Sequence, residues 1–186
     1  GVRYLVLIND KRKYDDRTGP FKAVMEELVP QTVTVRIRRK EFREANHLYD
    51  LLSRQDLDSS EEDGVVSFDV DLTAIGGTII ALSPQEMSEI ALDAPRRVNR
   101  NTVHRLRVRI SYQSGRPVRG IQPIRSTVTD PEDNETEYSH YACAENGRYE
   151  FDLHPALNDH PGTWTITVED LTAGLSTVQE FELTAE

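Results

Sequence analysis

The sequence predicts an all-β protein of two tandem antiparallel β-sandwich domains, residues 1–92 and 93–186, the first with one or two short helices. Three observations carry this reading. The segment Gly162–Asp170 alternates, with Trp164, Ile166 and Val168 on one side and Thr165, Thr167 and Glu169 on the other, the period of a half-buried strand. Further segments of this kind recur at roughly ten-residue spacing, the mark of a sandwich. Turn chemistry separates them, clearest at Asn146-Gly147, a strong hairpin signal.

Arg3 to Ile8 is apolar on both faces, as a central strand should be. Asn9–Arg12 and Asp16–Pro20 read as turns. Phe21, Val24, Met25 and Leu28 fall at helical spacing, so residues 21–29 are expected to form a short helix closed by Pro30. In Gln31–Arg38, Val33, Val35 and Ile37 face in while Thr34, Arg36 and Arg38 face out. Residues 41–54 fit two readings. Ala45, Leu48, Tyr49 and Leu52 suit a helix, whereas His47–Leu51 suits a strand. Gln55–Gly64 reads as an acidic polar loop, and Val66, Phe68, Val70 and Leu72 as a strand. Gly76-Gly77 turns the chain into a strand over Thr78–Leu82, which Pro84 stops.

Asp93–Asn99 reads as a linker. Leu106, Val108 and Ile110 then face in, and Arg105, Arg107 and Arg109 face out. Gln113–Val118 is a hairpin-type turn, Ile124–Thr129 a strand, Asp130–Asn134 a turn and Tyr141–Ala144 another strand. Tyr149, Phe151 and Leu153 mark a further strand, and Thr172–Gly174 turns the chain into a last one over Thr177–Leu183.

A net charge of −10 argues against nucleic acid as the main partner. No apolar run approaches the roughly 20 residues needed to span a bilayer, so no membrane insertion is expected. With one cysteine, Cys143, an intrachain disulfide cannot form, and Cys143 is expected to be a small buried hydrophobe. The chain enters an apolar strand almost at once after Gly1, which reads as a fragment of a longer protein.

Gly115-Arg116-Pro117-Val118-Arg119-Gly120, Val128-Thr129-Asp130-Pro131, Gly147-Arg148-Tyr149, Pro161-Gly162-Thr163-Trp164 and Val168-Glu169-Asp170 together resemble the pattern of macroglobulin-like and bacterial Ig-like domains, over residues 103–184. The resemblance implies an Ig-like sandwich that serves as spacer, packing platform or protein contact. Residues 1–92 resemble the β-sandwich that follows the catalytic barrel of many glycoside hydrolases. The pieces that carry this are Tyr4–Asp10, Leu48–Leu51, Phe68–Leu72 and Gly76–Leu82. It implies packing motifs and no catalytic residue, because in that family the chemistry sits in the barrel.

No motif supplies chemistry by itself. Asp69 and Asp71 are i, i+2 neighbours on a strand, about 7 Å apart, a separation a glycosidase pair could use. They are nevertheless expected on a solvated face, with no aromatic platform or histidine near them in sequence. His47, His104, His140, His154 and His160 show no metal-binding spacing. No cofactor is expected. Ca²⁺ is the one ion for which the sequence offers oxygens, in Asp56–Asp63 and Asp130–Glu135, although neither loop has the EF-hand pattern. Two basic groups stand out, Arg36, Arg38, Arg39, Lys40 and Arg43, and Arg96, Arg97, Arg100, Arg105, Arg107 and Arg109. Where they lie on strands they form outward stripes that could hold an anionic polysaccharide or an acidic partner. Tyr138 and Tyr141, flanking His140 in a polar stretch, are candidate exposed contacts for a sugar. The candidate contacts are thus Arg36, Arg38, Arg105, Arg107, Arg109, Tyr138 and Tyr141.

The expected function is a non-catalytic accessory or structural module of a larger exported multidomain protein, following a carbohydrate-active catalytic domain. Its expected location is extracellular, periplasmic or at the cell surface, with neighbouring domains of the parent protein as its partners. The alternative is a polysaccharide- or protein-binding module at the cell surface.

Overall fold

A computed structural model describes residues 1–14, 26–41, 45–72 and 76–184, with backbone alone for 12–14 and 26–28. About 60% of the described residues lie in strands, and none of them in an α-helix. In the first half run β1 (Arg3–Ile8), β2 (Arg12–Tyr14), β3 (Glu26–Leu28), β4 (Thr32–Arg38), β5 (His47–Asp50), β6 (Gln55–Asp56), β7 (Ser60–Glu62), β8 (Val65–Asp71) and β9 (Gly77–Ser83). Then come β10 (Met87–Asp93), β11 (Arg97–Asn99), β12 (His104–Tyr112), β13 (Ile121–Thr129), β14 (His140–Glu145), β15 (Arg148–Leu153), β16 (Gly162–Asp170) and β17 (Ser176–Thr184).

A four-stranded sheet, β1-β9-β5-β6, and a three-stranded sheet, β4-β8-β7, share one core. Leu48, Ile80 and Leu82 from the first meet Phe68, Val70 and Leu72 from the second, with Leu5, Leu7, Val33, Val35 and Ile37 at the margin. The odd-position side chains of β4 turn inward and its even-position ones outward, as its alternation predicts. β2 and β3 form a separate two-stranded ribbon.

The remaining strands form an eight-stranded sheet in the order β10-β12-β15-β14-β13-β16-β17-β11. Every pairing is antiparallel except β11 with β17, which is parallel. β14 and β15 pair only at Glu145 and Arg148, so the sheet opens there. β10 lies in contact with β16 and β17 from the far end of the strand order, which closes the layers over one core. Leu106, Val108, Ile110, Ile124, Val128, Trp164, Ile166, Val168, Phe181 and Leu183 fill that core.

The two halves touch through a dry contact. Val2, Tyr49 and Ala81 are buried in the core of the large sheet, on the face of the four-stranded sheet that turns away from its own core. The Met87 N–H donates to Tyr49 Oη at 2.9 Å, and Tyr4 Oη donates to the Ile121 carbonyl at 2.6 Å. Desolvation pushes the Tyr49 phenol up to about 12.

Several expectations need correction. Of the helix expected over 21–29, residues 21–25 lie outside the described residues, and Glu26–Leu28 is a strand paired with Arg12–Tyr14. Of 41–54, residues 42–44 lie outside the described residues, and over 47–50 the strand reading holds. His47–Asp50 pairs with β9, which covers Leu48 and Tyr49, and the one helical feature described nearby is a 3-10 turn at Arg39–Glu41. The acidic loop contains β6 and β7, the latter turned back into β8 by Asp63-Gly64, both at positive φ as a tight hairpin requires. β1 is an edge strand rather than a central one, because among the described residues only β9 pairs with it, leaving Val6 61% and Ile8 75% exposed. Cys143 is exposed, since the alternation of β14 turns it outward with Tyr141 and Glu145. β10 ends at Asp93 and pairs with β12, and sheet membership changes over 84–86.

Candidate binding surfaces

The arginine stripe of β12 is largely self-neutralised. Register places Arg105 opposite Asp152 and Arg107 opposite Glu150 on β15. Arg105 grips Asp152 with two hydrogen bonds, 2.8 and 3.1 Å, which lower the Asp152 carboxyl and raise the guanidinium. Arg107 bonds Glu150 at 3.1 Å and lies 3.9 Å from Asp93 on the other flank. The period that makes β12 a basic stripe makes β15 an acidic one, and pairing cancels the two. Arg109 breaks the pattern, since its opposite residue is Arg148.

On β4, Arg36 and Arg38 stand on the exposed face. Arg36 borders a shallow groove with Asp58, Glu62 and Asp69, so the surroundings of that stripe are acidic too. Arg39 is held by the Ala45 carbonyl, Asn46 and Glu61, and Arg43 lies outside the described residues.

The two tyrosines part company. Tyr138, expected to be exposed, is half-buried. Its ring lies 6.1 Å from that of Trp164, and its hydroxyl donates to Asp159 at 2.7 Å while accepting from the Ala156 N–H. Burial pushes its phenol up to about 12. Tyr141 is 73% exposed. The Arg125 guanidinium lies 5.7 Å from its ring centre and is itself held by both carboxylate oxygens of Glu135. Tyr141 is thus a stiffened aromatic on an open sheet face.

The oxygens expected for Ca²⁺ serve other ends where they are engaged. Asp130 Oδ1 accepts from the N–H groups of Glu132 and Asn134, both at 2.9 Å, closing its own turn. Those bonds, first the one from Asn134, hold its carboxyl low. Among the described residues, no group of three or more His, Cys, Asp or Glu side chains gathers as a metal site would require. The histidines are scattered, with His140 bonded between the Tyr138 carbonyl and the Tyr149 hydroxyl.

Two features escaped the sequence reading. A cleft of about 540 Å³ opens at one end of the first sandwich, lined by Asp50, Asp69, Asp71, Thr78, Leu52 and Gln55 among others. Asp50 is buried there and accepts from Thr78 Oγ1 at 2.6 Å, and Asp69 accepts from Thr34 Oγ1 at 2.6 Å, so both carboxylates are engaged. The second feature is a polar patch inside the large core. Asp170 lies opposite Ile124 in the β16–β13 register, with Gln122 and Ser126 flanking Ile124 on the same inner face. Thr172 follows two residues on, and all four are fully buried. The parity of Trp164, Ile166 and Val168 already places Asp170 on the core side, a signal that reading the segment as an apolar stripe passes over.

No family model matches the chain, and no curated protein does. Among solved structures, the chain is similar to a β-glucosidase from Listeria innocua at 16% identity and a TM-score of 0.38, covering 53% of this chain and 16% of that one. It is similar to the CARDB domain of a Pyrococcus furiosus protein at 11% identity and a TM-score of 0.36, covering 54% and 91%. It is also similar to a superoxide reductase (neelaredoxin) from Ignicoccus hospitalis at 15% identity and a TM-score of 0.40, covering 53% and 82%. All three are β-rich, and at these values the likeness does not extend to activity.

Proposed function

We propose that this chain is a non-catalytic accessory module of a larger exported protein, working as a spacer and packing platform beside a carbohydrate-active domain. The observation that carries the reading is the dry contact between its halves. Tyr49, Ala81 and Val2 are buried in the second core, and Tyr49 and Tyr4 bond across to it. A pair of sandwiches joined in this way holds two neighbours at a set separation. The strand order supports the Ig-like assignment of the second half. β14-β13-β16-β17 follows the C′-C-F-G order of variable-type Ig domains, and β10-β12-β15 follows A-B-E. The resemblance of residues 1–92 to the sandwich after a glycosidase barrel supports the carbohydrate-active neighbour. Self-pairing of Arg105 and Arg107 favours a structural role over capture of a polyanion. The module needs no cofactor, and its melting curve is the same in calcium as in chelator. Purified chain incubated with a panel of aryl glycosides and polysaccharides gives no turnover. Measurable hydrolysis that a substitution in this chain abolishes rejects the proposal.

One observation favours a binding module as the second reading, namely Tyr141, exposed and stiffened by Arg125 and Glu135. Polysaccharide retention that Tyr141→Ala removes supports it. Retention unchanged by that substitution excludes this surface.

A further inference from the structure

We propose that Arg109 and Arg148 form a binding site for a single oxyanion head group, a sulfate, phosphate or carboxylate. The proposal adds to the accessory-module reading and does not depend on it. It begins from a defect in the charge ladder. Along β12 and β15 each arginine of two successive outward rungs meets a carboxylate, Arg105 with Asp152 and Arg107 with Glu150. At the third rung the partner is another arginine. Like charges placed directly opposite in an antiparallel pair are destabilising. Among the described residues, neither the Arg109 nor the Arg148 side chain has a hydrogen bond or ion pair, and Glu145, opposite Arg148 on β14, stands beyond ion-pair distance of it.

The same two arginines border a pocket of about 250 Å³. Its other walls come from Glu89 and Ala91 of β10, from Ile110 and Ser111 of β12, from Gly115 and Pro117 of the turn after β12, and from Gly147. This is below the ~300–1,000 Å³ of a drug-sized pocket, so it suits one head group rather than an extended ligand. Glu89 is the one acidic side chain on the wall, and Ser111 Oγ bonds it at 3.1 Å. It lies beyond ion-pair distance of both arginines, leaving the pocket one positive charge in excess. Guanidinium forks match the paired oxygens of carboxylate, sulfate and phosphate, and two forks side by side favour a group with three or four oxygens.

The test is an NMR titration with sodium sulfate, sodium phosphate and sodium acetate, each against sodium chloride at matched ionic strength. Saturable shifts are expected at the Nε–H groups of Arg109 and Arg148 and at the Gly147 amide. Arg109→Gln or Arg148→Gln weakens binding about tenfold or more, the usual effect of losing a charge-assisted hydrogen bond. Arg105→Gln, at a rung already neutralised, leaves binding unchanged. Arg109→Glu, flanked by Ala91 and Arg148, completes the ladder, so it raises the melting temperature in chloride and removes the specific response to oxyanion. Sulfate stabilises folded proteins generally by exclusion from their surfaces, so the melting readout is the difference between wild type and Arg109→Glu. Shifts that never saturate, or that Arg105→Gln reduces as much as Arg109→Gln does, overturn the proposal. A response of equal size in wild type and Arg109→Glu overturns it as well.

Discussion

Replacing Asp170 by asparagine should stabilise this protein above neutral pH and do almost nothing in acid. Asp170 is 0% exposed at the end of β16. Its Oδ2 accepts from the Ala173 N–H at 2.7 Å, while Oδ1 has no donor. Gln122 Oε1 and Ser126 Oγ, on the same inner patch, also lack a partner among the described residues. Desolvation raises the carboxyl above its ordinary value and outweighs the help of the Ala173 N–H and of the Thr172 N–H and hydroxyl. The sign follows from linkage. Because the folded pKa exceeds the unfolded one, the folded state holds its proton more tightly. Its relative stability is then complete below the unfolded value, near 4, and falls as pH rises toward the folded value. Asparagine keeps an oxygen for the Ala173 N–H and carries no charge to desolvate. Removing one unsatisfied buried acceptor is worth about 1–3 kcal/mol. At about 2–4 °C per kcal/mol for a chain of this size, Asp170→Asn should raise the melting temperature by ~2–12 °C at pH 8. The gap should narrow toward pH 4 and close below it, where the aspartate is protonated in both states. Differential scanning calorimetry of both proteins from pH 4 to 8 measures it. A lower melting temperature for Asp170→Asn at pH 8, or a gap independent of pH, refutes the reasoning.

Other substitutions probe the joints of the fold. Gly147 has φ +71°, and a Cβ there would lie 2.5 Å from the Ile110 carbonyl oxygen, so Gly147→Ala should cost on the order of 3 kcal/mol in chemical denaturation. Trp164, the only tryptophan, is buried and donates to the His160 carbonyl at 2.9 Å. Its emission should be blue-shifted in the native state and move red in a single transition on unfolding of the second sandwich, and Trp164→Ala should cost about 3–5 kcal/mol. Tyr4→Phe removes the bond to the Ile121 carbonyl, and calorimetry should show a loss of about 1 kcal/mol. Arg105→Gln breaks only an exposed ion pair, and its melting temperature should match that of wild type.

Much of the strand content was legible from local periodicity. The alternation of Val33, Val35 and Ile37, of Phe68, Val70 and Leu72, and of Leu106, Val108 and Ile110 matches the burial of β4, β8 and β12. Asn146-Gly147 turns the chain as its residue types require, both at positive φ. Where local pattern misled, the cause lay in neighbours distant in sequence. Leu48 and Tyr49 suit a helix or a strand equally well, and β9, some 30 residues on, decides for the strand. Tyr138 looks polar and exposed in its own stretch, and Trp164 and Asp159 draw it inward.

The candidate surfaces show the same division. The sequence by itself determined an all-β chain, which strand faces are apolar, and where basic side chains recur in outward stripes, because these depend on residue type and a period of two. It could not decide whether a stripe is free, because charge balance is set by what register places across the strand. That β15 presents Asp152 and Glu150 to Arg105 and Arg107, yet Arg148 to Arg109, follows from the pairing of β12 with β15, two segments about 40 residues apart. Nor could it decide that Tyr49 and Ala81 serve the second core rather than the first. A strand buries each face against whatever layer covers it, and only the tertiary structure decides which layer that is.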